Sequence, residues 1–294
     1  FMGLVGSEMC IRDRPYAELS SSFGSYNTLK NTIKFSTGKI NDYFELSGRL
    51  SKIDSDGYVD RAYSDLKSYF IQGAYTNGST LIKAISFGGH EKTYQAWDGL
   101  SMDQVLENRR QNPLTYENEI DNYKQDHFQL HWNEKINNYW SFNLGLNYTD
   151  GRGYFEQYKE DDDINTYGGI VKSDIDSNGN ETGTTDLIRR RWLDNDFYVL
   201  NTSINYIKDK IDLTLSSSYS SYVGDHYGEV IWARSLSNTG EIRDRYYEGL
   251  GEKKDLSFFA KLLYSINKKT ELYTDIQLRG CLLYTSDAAD ERLR

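Results

Sequence analysis

The sequence predicts an all-β chain of about eleven antiparallel strands, on three observations: a period-two alternation of side chains, connections that take turns between short and long, and no competing amphipathic helix. The alternation is cleanest in "YWSFNLGLNYTDG" (Tyr139 to Gly151). Trp140, Phe142, Leu144, Leu146 and Tyr148 fall on one face of a strand, and Ser141, Asn143, Gly145 and Asn147 on the other, because successive side chains in a strand point to opposite sides. The pattern recurs at Phe44 to Ser51, at His127 to Trp132 and at Tyr198 to Tyr206, where Tyr198, Leu200, Thr202, Ile204 and Tyr206 oppose Val199, Asn201, Ser203 and Asn205. Further strands are expected at Tyr16 to Phe23, Leu29 to Ser36, Lys67 to Tyr75, Thr80 to Phe87, Ile211 to Tyr219, Leu256 to Ile266 and Thr270 to Leu278.

The short connections are Thr37 to Asp42, Thr76 to Ser79, Asn133 to Asn138, Lys208 to Lys210 and Asn267 to Lys269. Long ones are expected at Asp54 to Asp65 and near His90 to Asn122, Asp150 to Asn195 and Ser221 to Asp255; only Gly24 to Thr28 is short where the order calls for a long one. Two unlike sheet edges are the pattern of an outer-membrane barrel with tight turns at one end and long outer loops at the other. Aromatic residues bracket the faces Trp140 to Tyr148 and Tyr198 to Tyr206. Eight steps of about 3.3 Å give roughly 26 Å along the strand, or about 20 Å across a bilayer after a tilt of ~40°. The nine residues Trp140, Phe142, Leu144, Leu146, Tyr148, Tyr198, Leu200, Ile204 and Tyr206 are thus expected to face lipid. A soluble antiparallel sandwich alternates in the same way, but connections of several dozen residues are unusual in one.

The composition agrees with a barrel wall. The 294 residues hold 25 tyrosines, 24 glycines and 2 prolines, with a net charge of -10, which excludes a nucleic-acid partner because phosphate binding needs a basic surface. No run of eighteen apolar residues exists, which excludes a membrane-spanning helix and leaves membrane strands open. The two ends read as assembly scars: "MCIRD" (Met9 to Asp13) and "CLLYT" (Cys281 to Thr285) are one DNA word read on opposite strands, and their surroundings resemble translated adapters of transposon-based sequencing libraries. The expected division is 1–14 and 281–294 as adapter sequence, without fixed contacts, and 15–280 as native barrel, free of cysteine once Cys10 and Cys281 are set aside.

The segments Phe44 to Phe70, "TYQAWDG" (Thr93 to Gly99), Asn147 to Asp163 and "DLIRRRWLDNDFY" (Asp186 to Tyr198) resemble TonB-dependent outer-membrane receptors, particularly those of the Bacteroidetes. The resemblance implies active uptake, at the outer membrane of a Gram-negative cell, of a scarce nutrient such as a siderophore, corrinoid, haem or glycan. It also implies a TonB complex as partner, reached through an N-terminal plug that this sequence lacks. About eleven strands are half of the ~22 of such plugged barrels, so a partial transmembrane β-barrel is expected. The alternative in another class is a secreted, soluble β-rich domain that binds or degrades glycans, with Trp97, Trp132, Trp192 and Trp232 as sugar platforms.

Candidate ligand-binding residues in the outer loops are Trp97, Tyr154, Phe155, Tyr158, Arg189, Arg190, Arg191, Trp192 and Trp232, for stacking and for clamping an anion. The arginines also suit pairing with neighbouring acids near the headgroups. The acid run Glu160 to Asp163 is either a calcium holder or a solvated loop tip; "DIDSNG" (Asp174 to Gly179) has the first half of a calcium loop, but Thr185 stands where the closing glutamate belongs, which leaves an Asn-Gly turn. His127 and His131 share a polar face roughly 13 Å apart at ~3.3 Å per residue, too far for one ion. No catalytic group, metal or cofactor is expected, and the chain is not read as an enzyme.

Overall fold

Eleven strands pair in sequence order, each antiparallel to its neighbours, in the computed structural model of this protein, which describes residues 14–287. They are β1 (Tyr16–Phe23), β2 (Leu29–Ser36), β3 (Phe44–Ser55), β4 (Ser64–Thr76), β5 (Thr80–Tyr94), β6 (Ile120–Lys135), β7 (Trp140–Asp163), β8 (Thr184–Lys208), β9 (Ile211–Ala233), β10 (Arg245–Asn267) and β11 (Thr270–Asp287). Among the described residues β1 and β11 each pair with one neighbour only, so the sheet is open. One short helix, α1 (Met102–Glu107), interrupts the β5–β6 connection; Ser101 and Gln104 close a capping box at its start.

The register turns the alternation into two continuous faces. Trp140, Phe142, Leu144, Leu146 and Tyr148 stand opposite Tyr206, Ile204, Thr202, Leu200 and Tyr198. Rows of rings bracket this face. Near the short turns Phe44 lies 5.0 Å from Tyr75, Trp132 5.5 Å from Phe142 and Trp140 4.6 Å from Tyr206; nearer the long connections Phe128 lies 6.1 Å from Tyr148 and Tyr148 4.7 Å from Tyr198. Between the rows the face carries residues such as Leu46, Leu50, Ile71, Leu130, Leu200, Leu215, Phe258 and Ile276, all exposed. Among the described residues no charged side chain falls on this face between the two rows. The opposite face is wet. Asn143, Asn147, Asn201 and Ser203 line it, tied by bonds such as Asn143 Nδ2 to Ser203 Oγ at 3.1 Å.

Two expectations are corrected. The long connection near His90 to Asn122 stands, between β5 and β6, but those near Asp150 to Asn195 and Ser221 to Asp255 are in large part strand: β7 runs on to Asp163, β8 starts at Thr184, β9 reaches Ala233 and β10 starts at Arg245. These extensions carry no greasy face, so hydropathy hides them. They are held instead by cross-strand pairs of opposite charge or of rings, such as Arg152 with Asp194, Tyr154 with Trp192 and Glu156 with Arg190. The second correction concerns 281–294, expected to lack fixed contacts with any strand there incidental; 288–294 lie outside the described residues, and 281–287 pair. The β10 ladder continues through Asp255 with Cys281 to Gly249 with Asp287, because an edge backbone pairs whatever its side chains, and those of Leu282, Leu283 and Tyr284 stay exposed. Cys281 is free and exposed, while Cys10 and the rest of Phe1 to Asp13 lie outside the described residues.

Among the described residues the cluster of buried apolar side chains is small, Tyr167, Ile170, Val171, Leu187 and Val230 under the β7–β8 connection, with Tyr94, Ile120 and Tyr227 buried apart from it. A sheet of this kind needs an apolar medium on one side, because its largest hydrophobic side chains are turned outward rather than into a core.

Candidate functional site

The candidate site occupies the polar face towards the long connections, and glycines shape it. Tyr123 on β6 stands opposite Gly153, and a Cβ at Gly153 would collide with the Asn122 carbonyl and the Tyr123 Cα; one at Gly228 would strike the rings of Tyr246 and Tyr247. The missing Cβ atoms let these tyrosines lie along the wall instead of standing off it.

Two groups of side chains result. In the first, the His127 imidazole stacks on Phe87 at 4.4 Å and 13°, and its Nδ1 is 2.8 Å from the Thr149 hydroxyl. Phe70 continues the row 6.4 Å beyond Phe87. With Ser68, Tyr123 and Gln125, Phe87 and His127 border a cavity of about 440 Å³. In the second, nearer the mouth, the Arg191 guanidinium sits 5.3 Å from the Phe155 ring centre and 5.5 Å from that of Tyr247, and Nε donates to the Tyr247 hydroxyl at 3.1 Å. Trp97 meets Phe155 edge-on at 5.5 Å. Beside them Arg189 donates to Gln157 Oε1 at 3.1 Å and to the Tyr167 hydroxyl at 3.2 Å, and that hydroxyl donates to Asp162.

The connections around this mouth are tethered. Arg61 donates to the carbonyls of Asn112 at 2.7 Å and Leu114 at 2.8 Å; the Tyr94 hydroxyl donates to the Tyr116 carbonyl at 2.7 Å; the Tyr116 hydroxyl donates to Glu156 at 2.7 Å. Burial and the Glu156 carboxylate push the Tyr116 phenol up to about 12. Burial likewise raises the Glu119 carboxyl, against the backbone N–H of Tyr158 that donates to it. The β7–β8 connection is pinned through Asp174, which accepts from Ser235 at 2.6 Å, Thr185 at 3.0 Å and Arg234 at 3.1 Å; Arg234 also pairs with Asp186.

Burial alone would raise the Asp174 carboxyl, but the Ser235 and Thr185 donors and the Arg234 charge outweigh it and hold it below the ordinary range. A depressed carboxyl stabilises the fold above its unfolded value and loses that contribution as pH falls through the folded one. Amide hydrogen exchange of 171–186 is therefore expected to stay slow from neutral pH down to about 5, after correction for intrinsic rates, and to quicken below about 4. Asp174→Asn should give the quick exchange already at neutral pH; protection that persists to pH 3 would contradict the assignment.

Of the residues singled out from the sequence, the structure brings Trp97, Phe155, Arg189 and Arg191 to this mouth. Tyr154, Arg190 and Trp192 stand on the other face: the Arg190 guanidinium lies 4.2 Å from the Tyr154 ring, Arg190 Nε bonds Glu156 at 2.8 Å, and Tyr154 packs 4.6 Å from Trp192. Tyr158 and Trp232 flank Ile188 on that same face. The acid run is absorbed by local bonds, Asp162 by Tyr167 and Asp163 by the backbone N–H of Asn165 at 2.9 Å. The Asp176 to Asn180 segment is a turn with Gly179 at φ +84°, its carboxylate accepting from Asn178 and Asn180. The four tryptophans offered as sugar platforms do not assemble, since Trp132 belongs to the aromatic row near the short turns. Phe87, Tyr123 and Tyr247 escaped notice in the sequence; the period-two phase of β6 gives Tyr123, while Tyr247 sits where a loop was expected.

No family model matches the sequence, and no curated protein matches it. Solved structures do. The chain resembles the ferric-catecholate import receptor Fiu of Escherichia coli K12 with a TM-score of 0.67 at 12% identity, over 94% of this chain and 42% of that one. It resembles Pseudomonas aeruginosa FpvA, solved with heterologous pyoverdines, with a TM-score of 0.61 at 8% identity over 93% and 38%. The ferric yersiniabactin uptake receptor FyuA of Yersinia pestis gives 0.54 at 9% over 93% and 44%. The fold is that of the barrel wall of TonB-dependent outer-membrane receptors. The chain spans less than half the length of these structures. In such a wall the apolar face is the outside and the polar face lines the lumen.

Proposed function

We propose that the chain is a wall segment, with its outer loops, of an outer-membrane receptor for TonB-coupled uptake of a scarce nutrient, and that the nutrient is an iron chelate. The apolar band between two aromatic rows supports placement in the outer membrane, and the resemblance to import receptors for ferric chelates supports the substrate class. A plug from elsewhere in the gene product would gate the lumen and engage the TonB complex. The observation that carries the reading is Arg191 held between Phe155 and Tyr247 on the lumen side of the mouth: rings and a guanidinium together suit an anionic chelate with flat ligand groups. The chain supplies binding and passage, with no catalytic step. A secreted glycan-binding domain is not favoured, since its surface would expose the uncharged band to water.

The test uses the full-length gene product in a receptor-deleted host, offered a panel of catecholate, hydroxamate and carboxylate chelates of radioactive iron. One class should be taken up, the protein should leave the membrane fraction only with detergent, and Arg191→Gln should weaken binding of that class about tenfold, as expected for about 1.4 kcal/mol from a desolvated charged contact, without changing the heat-dependent gel mobility of the barrel. Uptake of none of the chelates, or binding unchanged in Arg191→Gln, would overturn the reading.

A further inference from the structure

The outward face carries a second feature just above the aromatic row nearer the loops. In one register row, on five consecutive strands, stand Lys52, Lys67, His90, Lys124 and Arg152, each opposite the next. Like charges placed directly across a ladder repel, so such a row is retained against a cost. Acids offset it in part: Lys52 pairs with Asp54 at 2.9 Å, Lys67 with Asp65 at 3.4 Å, Lys124 with Asp126 at 2.7 Å and Arg152 with Asp194 at 3.3 Å. In each pair the cation stands out further than its acid, most of all at Lys124. Lys124 is 62% exposed against 11% for Asp126, which is tucked under the Tyr69 hydroxyl, and Lys67 is 55% exposed against 34% for Asp65. An ammonium has three donors, of which one carboxylate takes one. Each lysine therefore keeps donors for a further acceptor.

Below this row the wall of β1 to β4 is apolar and hollowed, while Asp126 and Asp150 follow Lys124 and Arg152 on β6 and β7. Leu19, Ile33, Leu50 and Tyr69 border a depression of about 470 Å³ whose upper rim is formed by Lys52, Lys67 and Lys124, with Asp126 beside Lys124. Cations above and hydrocarbon surface below, at the level where an aromatic row marks the edge of the apolar band, form an amphipathic seat open to the bilayer.

We infer that this seat on β3 to β6 binds an anionic, phosphate-bearing lipid of the outer leaflet, with its phosphate between Lys52, Lys67 and Lys124 and an acyl chain on Leu50, Ile33 and Leu19. The phosphate relieves the repulsion between facing lysines, and the chain fills the hollow. The inference uses the placement of the wall in a membrane and makes no use of the nutrient. Unchanged lipid binding in Arg191→Gln, together with unchanged chelate binding in the lysine variants, keeps the two readings separate.

The experiment uses the full-length gene product, delipidated in detergent and titrated with phosphatidylglycerol, with phosphatidylcholine, or with inorganic phosphate at the same phosphate concentration. Phosphatidylglycerol should bind and raise the melting temperature, weakening with salt, while the choline lipid and free phosphate do neither. The triple variant Lys52→Gln, Lys67→Gln, Lys124→Gln should lose at least tenfold in affinity, and the corresponding triple Lys→Arg variant should keep it. Should the glutamine triple fail to reach the folded gel mobility, Lys67→Gln alone, at the centre of the row, is expected to lose threefold or more. Equal binding of phosphatidylglycerol and phosphatidylcholine, equal stabilisation by inorganic phosphate, or glutamine variants that bind like the parent would each overturn the inference.

Discussion

Residues 15–280 expressed alone behind an outer-membrane leader should accumulate as an aggregate rather than as an inserted monomer. In the open sheet β1 and β11 each leave one side of the ladder unpaired. Hydrocarbon offers those N–H and C=O groups no water, and each costs several kcal/mol when left without a partner. A handful of such groups outweighs the whole stability of an ordinary domain, which is about 5–15 kcal/mol. The two free edges then pair with other copies. The intact gene product, with the strands that close the wall, should insert and keep its compact gel mobility until heated. Protease accessibility in whole cells and unheated gels distinguish the two; a folded, monomeric, inserted species from 15–280 alone would refute the claim that further strands are needed for closure.

The second large effect is expected at Leu144, midway between the aromatic rows and opposite Thr202. In the full-length protein Leu144→Arg should cost about 2–4 kcal/mol of folding free energy, the value for a cation on the lipid face at the bilayer midplane. Asn143→Arg, one residue away on the wet face, should cost less than about 1 kcal/mol, since its side chain stays in the lumen. Urea titration of folding into phospholipid vesicles measures both. Equal costs would mean that the two faces of β7 do not see different solvents.

The membrane half of this wall was legible residue by residue. Trp140 to Tyr148 and Tyr198 to Tyr206 follow one physical rule, an apolar side chain at every second position, and the register confirms that they face each other. The outer half was not legible for the same reason. Where both faces of a strand meet water, as at Arg152, Tyr154 and Glu156, no period in hydrophobicity survives, and only pairing with Asp194, Trp192 and Arg190 makes the segment a strand. The candidate site suffered accordingly. Residues adjacent in "RRRW" were grouped, yet a strand sends Arg189 and Arg191 to the lumen and Arg190 and Trp192 outward. Tyr247 reaches Arg191 across 56 positions of sequence, and nothing local to either announces it.

The sequence alone therefore determined the class of sheet, the number and order of its strands and which face is apolar, because each depends on side-chain periodicity within single segments. The tertiary structure decided which rings join Arg191, how far the strands stand above the band, and that three lysines, a histidine and an arginine line up in one row. Those depend on register between strands, which is a relation among distant residues and has no signature within any one of them.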